Sequence, residues 1–173
     1  FDKAKRYLFF MSFWWATSPN WKAVFDNIDI MGPIVINPRS GFGDKVEPDF
    51  TALVQKIKAT GRPAIGYVRT IKATRTKEEV LAEIKKYQDG YMLDGVFLDE
   101  MVNGWSTDEA TKIAWYKDLY MEIKKLYGNG FLVLGNPGTN TKPEMLECAD
   151  MLITFEKNID QYLNDTDAPV TPD

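Results

Sequence analysis

Short apolar runs of strand length alternate with amphipathic segments of helix length along most of this chain. The runs are apolar at successive positions, which is typical of parallel strands covered by helices. Strict alternation of strand and helix also favours parallel strands joined by right-handed crossovers. The six predicted strands are residues 7–15, 33–37, 63–68, 94–99, 131–135 and 151–155.

Two architectures are built from such units, an open doubly wound sheet and a (β/α)₈ barrel. A doubly wound sheet usually has a glycine-rich turn after its first strand, whereas this chain has Trp14-Trp15-Ala16-Thr17-Ser18 there. We therefore predict an α/β fold of the (β/α)₈ TIM-barrel type, with residues 1–173 as a single domain.

The length of the chain predicts an incomplete barrel. A full barrel typically needs ~250 residues, and six βα units are visible among the 173 residues here. We expect the last two units to be missing from this chain. Exposed sheet edges invite pairing with other chains, so a second copy or another chain is expected to cover them.

The chain contains no histidine, and Cys148 is its single cysteine. This composition excludes Ser-His-Asp triads, Cys-His dyads, the usual zinc ligand sets and internal disulfides. The net charge of −4 and the lack of a dense Lys/Arg block argue against a nucleic-acid partner. No apolar run reaches the ~18 residues of a membrane-spanning helix. No signal peptide is visible in the first 15 residues, and one upstream of Phe1 stays open.

Carboxylates follow two of the apolar runs at the point where each predicted strand ends. Asp99 and Glu100 close the fourth strand, and Glu156 closes the sixth. Residues at the carboxyl ends of barrel strands converge on one mouth, where active sites form. Two carboxylates across a sugar ring are the minimum for glycoside hydrolysis, one as general acid and the other as nucleophile or base. We therefore predict that these three residues are catalytic and need no cofactor.

The direction of these side chains is open at this stage, because side chains alternate across a strand. If Glu100 points to the barrel axis, Phe97 faces the helices and Asp99 orients a neighbour. If the strand ends at Leu98, both carboxylates enter the mouth. Glu156 is expected to share its face with Thr154 and Leu152. A divalent-metal site of the same three carboxylates is the main chemical alternative.

Aromatic and amide side chains at the strand ends are candidates for substrate binding. Broad apolar indole faces suit the C–H-rich surface of a pyranose, and amides in turn-forming sequences can bind hydroxyl groups. An acidic mouth also suits a cationic substrate. The binding candidates are Trp14, Asn37, Tyr67, Arg69, Trp105 and Asn136.

Five motifs occur in a fixed order between residues 37 and 156: NPRSGFG (37–43), GYVRT (66–70) with Arg75, GVFLDE (95–100), NPGT (136–139) and FE (155–156). In order and spacing they resemble the spherulin-4-like family of (β/α)₈ proteins. Some members of that family are endo-acting hydrolases of galactosamine-containing exopolysaccharide, in glycoside hydrolase family 135. The resemblance implies a secreted or cell-surface hydrolase that cleaves an amino-sugar polysaccharide. A non-catalytic carbohydrate-binding or structural surface protein on the same scaffold is the alternative.

The resemblance also implies roles for individual residues. It gives active-site roles to Asp99, Glu100 and Glu156, and it sets Asn37, Tyr67 and Asn136 along the substrate cleft. Phe42 and Lys72 depart from the family pattern, which has proline and tyrosine there, so loop shape and substrate contacts are expected to differ. The family continues beyond the sixth strand with two further βα units, one of which carries a histidine.

Overall fold

Six apolar segments form one parallel sheet in the computed structural model of the protein, which describes residues 7–106, 109–156, 158, 160 and 164. The strands are β1 (Leu8–Met11), β2 (Met31–Ile36), β3 (Ala64–Arg69), β4 (Gly95–Asp99), β5 (Leu132–Gly135) and β6 (Met151–Leu152). The helices are α1 (Trp21–Asp26), α2 (Pro48–Ala59), α3 (Lys77–Tyr91) and α4 (Ala110–Tyr127), with 3₁₀ turns at Ile28–Ile30 and Pro143–Glu147. No helix in this part of the chain is long and apolar enough to cross a membrane.

The strands pair in their chain order, and every pairing is parallel. A doubly wound sheet would reverse its strand order at a switch point, whereas sequential order builds the wall of a barrel. The predicted TIM-barrel type is therefore confirmed, as a curled half-barrel. Within the described residues β1 and β6 each pair with one neighbour, which agrees with the prediction of an incomplete barrel.

The two faces of the sheet carry separate hydrophobic cores. The larger, outer core lies between the strands and the helices, and it includes Ile34, Val68 and Leu98. The inner face carries a smaller group, here called the inner cluster. The inner cluster consists of Val35, Ile65, Tyr67, Phe97 and Leu134. Side chains alternate along a strand. In each strand, the residue that comes two positions after its last inner-cluster residue therefore lies at the carboxyl end.

Helix α3 illustrates how local sequence sets the helices. Thr76 accepts a hydrogen bond from the backbone N–H of Glu79, whose side chain accepts one from the Thr76 N–H. This capping box contributes about 1 kcal/mol to the stability of a helix start. Val80, Ile84 and Tyr87 then recur at helical spacing and are buried against the sheet.

The two edge strands are shorter than the sequence predicts. The predicted first strand covers residues 7–15, whereas β1 ends at Met11. The hydroxyl of Ser12 accepts a hydrogen bond from the Trp14 N–H at 2.9 Å, and such a local bond competes with strand pairing. β6 ends at Leu152 instead of Phe155, so strand alternation does not extend as far as Glu156.

Candidate active site

Asp99 lies at the carboxyl end of β4 and is held from both neighbouring strands. Its Oδ2 atom accepts a hydrogen bond from the Tyr67 hydroxyl of β3 at 2.5 Å. Its Oδ1 atom accepts one from Nδ2 of Asn136, just after β5, at 2.8 Å. The half-buried carboxylate therefore sits at the mouth of the half-barrel, between two donors of different strands.

Asn136 connects Asp99 to Glu156. The backbone N–H of Gly138 donates to Oδ1 of Asn136 at 2.9 Å, which fixes the orientation of the amide. Nδ2 therefore faces the two carboxylates, and it also donates to Oε2 of Glu156 at 3.2 Å. The backbone N–H of Asn136 donates to the Leu98 carbonyl at 2.9 Å and so continues the pairing of β4 with β5. The structure thus brings together two of the three predicted carboxylates through one amide.

Glu100 turns away from this group. Its φ of 58° is left-handed, a conformation that costs a non-glycine residue roughly 1–2 kcal/mol. The backbone is held there by the Lys72 N–H, which donates to the Glu100 carbonyl at 2.8 Å. The carboxylate accepts hydrogen bonds from Nε and Nη2 of Arg69 at 3.1 and 2.8 Å. Glu100 is therefore ion-paired with the last residue of β3.

The two orientations considered for β4 from its sequence are both wrong. β4 extends to Asp99 and does not end at Leu98. Phe97 belongs to the inner cluster and Leu98 to the outer core, so Asp99 is the carboxylate that follows the inner face. Alternation from the inward-facing Phe97 places Asp99 at the mouth, and the left-handed turn at Glu100 breaks the alternation at the following residue.

The electrostatics of the site follow from these contacts. Burial, the hydrogen bond to Asp99 and the nearby charges of Asp99 and Glu100 raise the pKa of Tyr67, while Arg69 opposes them. The phenol consequently remains a proton donor across the physiological pH range. The hydrogen bond and the charge of Glu100 raise the pKa of Arg69, which keeps the guanidinium a permanent cation at the mouth.

The loops that carry the site are tied to α3 by Glu83. Its Oε1 atom accepts a hydrogen bond from the Phe42 N–H at 3.1 Å, in the loop after β2. Its Oε2 atom accepts one from Arg75 at 2.7 Å, and the same Arg75 nitrogen donates to the Arg69 carbonyl at 2.7 Å. One half-buried carboxylate thus connects the β2 loop to the end of β3.

Asn37 is buried at the end of β2, one position beyond the register pair Ile36–Gly66 and so beside Tyr67. Its Oδ1 atom accepts a hydrogen bond from the Gly41 N–H at 2.9 Å, while Nδ2 has no hydrogen-bond partner among the residues that the structure describes. Trp105 lies in the loop after β4 and is 57% exposed. Its indole N–H donates to the Asn140 carbonyl at 3.1 Å, which links the β4 and β5 loops.

Trp14 lies apart from the carboxylates. Its ring packs at 5.5 Å from Phe10 and 6.0 Å from Trp21, between ring centroids, on the helix side of the sheet. The neighbouring Phe13 faces the mouth instead, with its ring centroid 6.1 Å from that of Tyr67. Sequence reasoning missed Phe13, although alternation from Phe9 through Met11 would have found it.

No three His, Cys, Asp or Glu residues in the described part of the chain lie close enough to hold a metal ion. Glu100 is turned to Arg69, whereas Asp99 and Glu156 share the amide of Asn136. The three carboxylates are therefore held by hydrogen-bond donors and do not converge on one point where a metal ion could bind.

Comparison with known proteins gives one family and one fold. The model of the spherulation-specific family 4 matches residues 8–171. Spherulin-4 of Physarum polycephalum is 32% identical over 124 residues, which cover 70% of this chain and 36% of that protein. The chain thus aligns with little more than a third of the length of this curated relative.

Two solved structures have the same fold. Sph3 of Aspergillus clavatus, crystallised in complex with GalNAc, matches with a TM-score of 0.76 at 24% identity, over 91% of this chain and 68% of its own. A chitinase (RmChi1) of Rhizomucor miehei matches with a TM-score of 0.55 at 15% identity, over 84% of this chain and 55% of its own. Both matches support the barrel-type architecture.

Proposed function

This chain belongs to the spherulation-specific family 4, and from that premise we propose that it is a glycoside hydrolase acting within an amino-sugar polysaccharide. The observation that carries the proposal is the shared amide of Asn136, which joins Asp99 to Glu156 at the barrel mouth. A. clavatus Sph3, which has the same fold, was crystallised with GalNAc. This supports a polymer that contains galactosamine or N-acetylgalactosamine.

The spacing of the two carboxylates favours a retaining mechanism. Oδ1 of Asp99 and Oε2 of Glu156 lie 2.8 and 3.2 Å from the same nitrogen, so these oxygens are at most about 6.0 Å apart. Carboxyl groups about 5–5.5 Å apart are typical of retaining glycosidases, and about 6.5–9.5 Å of inverting ones. A covalent glycosyl intermediate, later hydrolysed by water, follows from this spacing.

The surroundings of each acid suggest its part in the reaction. Tyr67 and Asn136 both donate to Asp99, which suits an anion that attacks the anomeric carbon. Glu156 is exposed and is placed to protonate the leaving glycosidic oxygen and then to activate water. Glu100, paired with Arg69, would position the substrate. Asp99, rather than Glu100, is therefore the proposed catalytic partner of Glu156.

Loop residues would provide the remaining substrate contacts. Trp105 is exposed in the β4 loop, where it contacts the β5 loop, and Arg69 and Asn37 belong to the ends of β3 and β2.

A polysaccharide substrate is met outside the cell, so we also propose a secreted or surface-associated protein. Detection of the protein in the culture medium or on intact cells would test that location.

The proposal is tested by release of reducing ends from a partly N-acetylated galactosamine polymer. We expect Asp99→Asn and Glu156→Gln to lower kcat by about 10²–10⁴-fold, and Glu100→Gln to lower it less. Glu147→Gln is the matched control, because Glu147 is an exposed glutamate ion-paired with Lys117 at 2.7 Å. Proton NMR of the first product should show retention at the anomeric carbon.

This function would be contradicted if the unmodified chain released no reducing ends. Full activity of Asp99→Asn and Glu156→Gln would contradict the assignment of the two acids, and inversion at the anomeric carbon would contradict the retaining mechanism. Binding of the polymer without turnover would instead support a non-catalytic carbohydrate-binding protein on this scaffold.

A further inference from the structure

Phe13 is an exposed aromatic residue at the mouth that the proposed chemistry does not use. It follows β1 and 65% of its surface is exposed. Its ring meets that of Tyr67 in an edge-to-face contact, with centroids 6.1 Å apart and planes at 66°. A single edge-to-face contact covers only part of a ring, and with 65% of the residue exposed much of the Phe13 ring is open to solvent.

Phe13 comes two residues after the end of β1, and its direction follows from the contact of its ring with Tyr67. Phe9 and Met11 pack against the inner cluster, and side chains two positions apart lie on the same face. β1 ends at Met11, which is in register with Val35, and the contact of the Phe13 ring with Tyr67 of the inner cluster continues this side of the sheet beyond the strand. The ring therefore lies on the inner side of the wall, at its carboxyl end.

Phe13 is also close to the reacting groups. Its ring partner Tyr67 donates directly to Asp99, so one side chain separates the exposed ring from a carboxylate of the site. A flat apolar ring gains little from contact with water. Sugar-binding sites employ such rings because a pyranose presents a patch of C–H groups that can pack against them.

We propose that the open face of Phe13 is a stacking platform for one pyranose ring of the polymer, next to the bond cleaved at Asp99 and Glu156. This inference rests on the proposed function and adds a subsite to it. The platform binds substrate and transition state alike, because the stacked ring is a neighbour of the reacting sugar. Its loss should therefore raise KM and leave kcat unchanged.

The test compares three substitutions at one position. Phe13→Ala is expected to raise KM for galactosamine oligosaccharides about tenfold, equivalent to about 1.4 kcal/mol, with kcat within about twofold. Phe13→Leu keeps an apolar side chain without a flat face and should resemble Phe13→Ala. Phe13→Trp keeps a flat face and should have the KM of the unmodified chain.

Leu126→Ala is the matched control. Leu126 is 61% exposed in the last turn of α4, and helices of a βα barrel run antiparallel to the strands, so it lies at the opposite end from the mouth. KM and kcat of this variant should equal those of the unmodified chain. Thermal unfolding of all four variants shows whether the Phe13 ring contributes to packing instead.

The outcomes separate this inference from the function on which it rests. If the unmodified chain neither cleaves nor binds the polymer, both fail. If it cleaves but Phe13→Ala keeps its KM, lowers only kcat, or changes KM in step with a large loss of thermal stability, the platform alone is overturned. A Phe13→Leu variant with the KM of the unmodified chain would overturn it as well, since the flat face would be unnecessary.

Discussion

The phenolic oxygen of Tyr67 lies 2.5 Å from Oδ2 of Asp99, although the two residues are not paired across their strands. The β3–β4 register pairs Tyr67 with Phe97, and Arg69 with Asp99. The long phenol side chain therefore reaches diagonally along the inner face to the next inward-facing residue. Asp99 gains a donor that a residue directly opposite could not supply, since Arg69 is turned to Glu100.

Substitution Tyr67→Phe is expected to lower kcat about tenfold, because Asp99 loses one of its two donors while the ring is kept. A typical hydrogen bond contributes roughly 0.5–1.5 kcal/mol to stability, so the free energy of unfolding should fall by about 1 kcal/mol. Kinetics and urea unfolding measure the two effects. Tyr120→Phe is the control, because Tyr120 donates to Asp150 at 3.0 Å on the surface of α4. Equal kcat for both variants would show that the Tyr67–Asp99 bond has no part in catalysis.

Substitution Asn136→Asp tests the amide that joins the two acids. The new carboxylate can still accept the Gly138 N–H, so the turn should survive, but it places a third negative group between Asp99 and Glu156. We expect kcat to fall by more than about a hundredfold. Asn27→Asp, on an exposed asparagine after α1, should leave kcat unchanged. An active Asn136→Asp variant would mean that the two acids do not need a common donor.

Gly95 and Gly130 offer a matched pair for testing how tightly β4 packs against β5. A Cβ atom at Gly95 would collide with the Leu132 carbonyl oxygen, whereas nothing in the described part of the chain lies within 4 Å of one at Gly130. Gly95→Ala must force the two strands apart and should lower the free energy of unfolding by about 3 kcal/mol. Gly130→Ala should change it by less than about 0.5 kcal/mol. Similar urea midpoints for the two variants would contradict this strand packing.

Cys148 predicts a loss of stability at alkaline pH. The side chain is buried, and burial raises its pKa from 9.0 to about 11. The unfolded chain therefore releases the thiol proton first, so the stabilising difference is complete below pH 9 and is lost as the pH rises to about 11. The expected loss is about 2 kcal/mol.

Urea unfolding at several pH values measures this effect, with Cys148→Ala as the reference. The variant should lose less stability than the unmodified chain between about pH 9 and 11, because the other titrating groups are common to both. In the native protein at pH 8 the thiol should react with Ellman's reagent only after denaturant is added. Parallel stability curves, or a rapidly reacting native thiol, would contradict the prediction.

The architecture could be predicted from the sequence because it is written in local patterns. Alternating apolar runs and amphipathic segments define the βα units, and the sequential strand order follows from short right-handed crossovers. The capping box at Thr76 and Glu79 is likewise visible three residues apart. The sequence predicts edge strands that are too long, because apolar composition does not show how many neighbours a strand has. Among the described residues β6 pairs on one side only.

By itself, the sequence determined that this chain forms parallel βα units and that acids follow two of the strands. These properties depend on neighbours within a few positions. Only the tertiary structure decided that Asp99, and not Glu100, shares the amide of Asn136 with Glu156. That choice depends on a left-handed turn at Glu100 and on an amide at Asn136, both held by hydrogen bonds between different loops. Contacts between distant segments form only when the sheet curls, and no local periodicity records them.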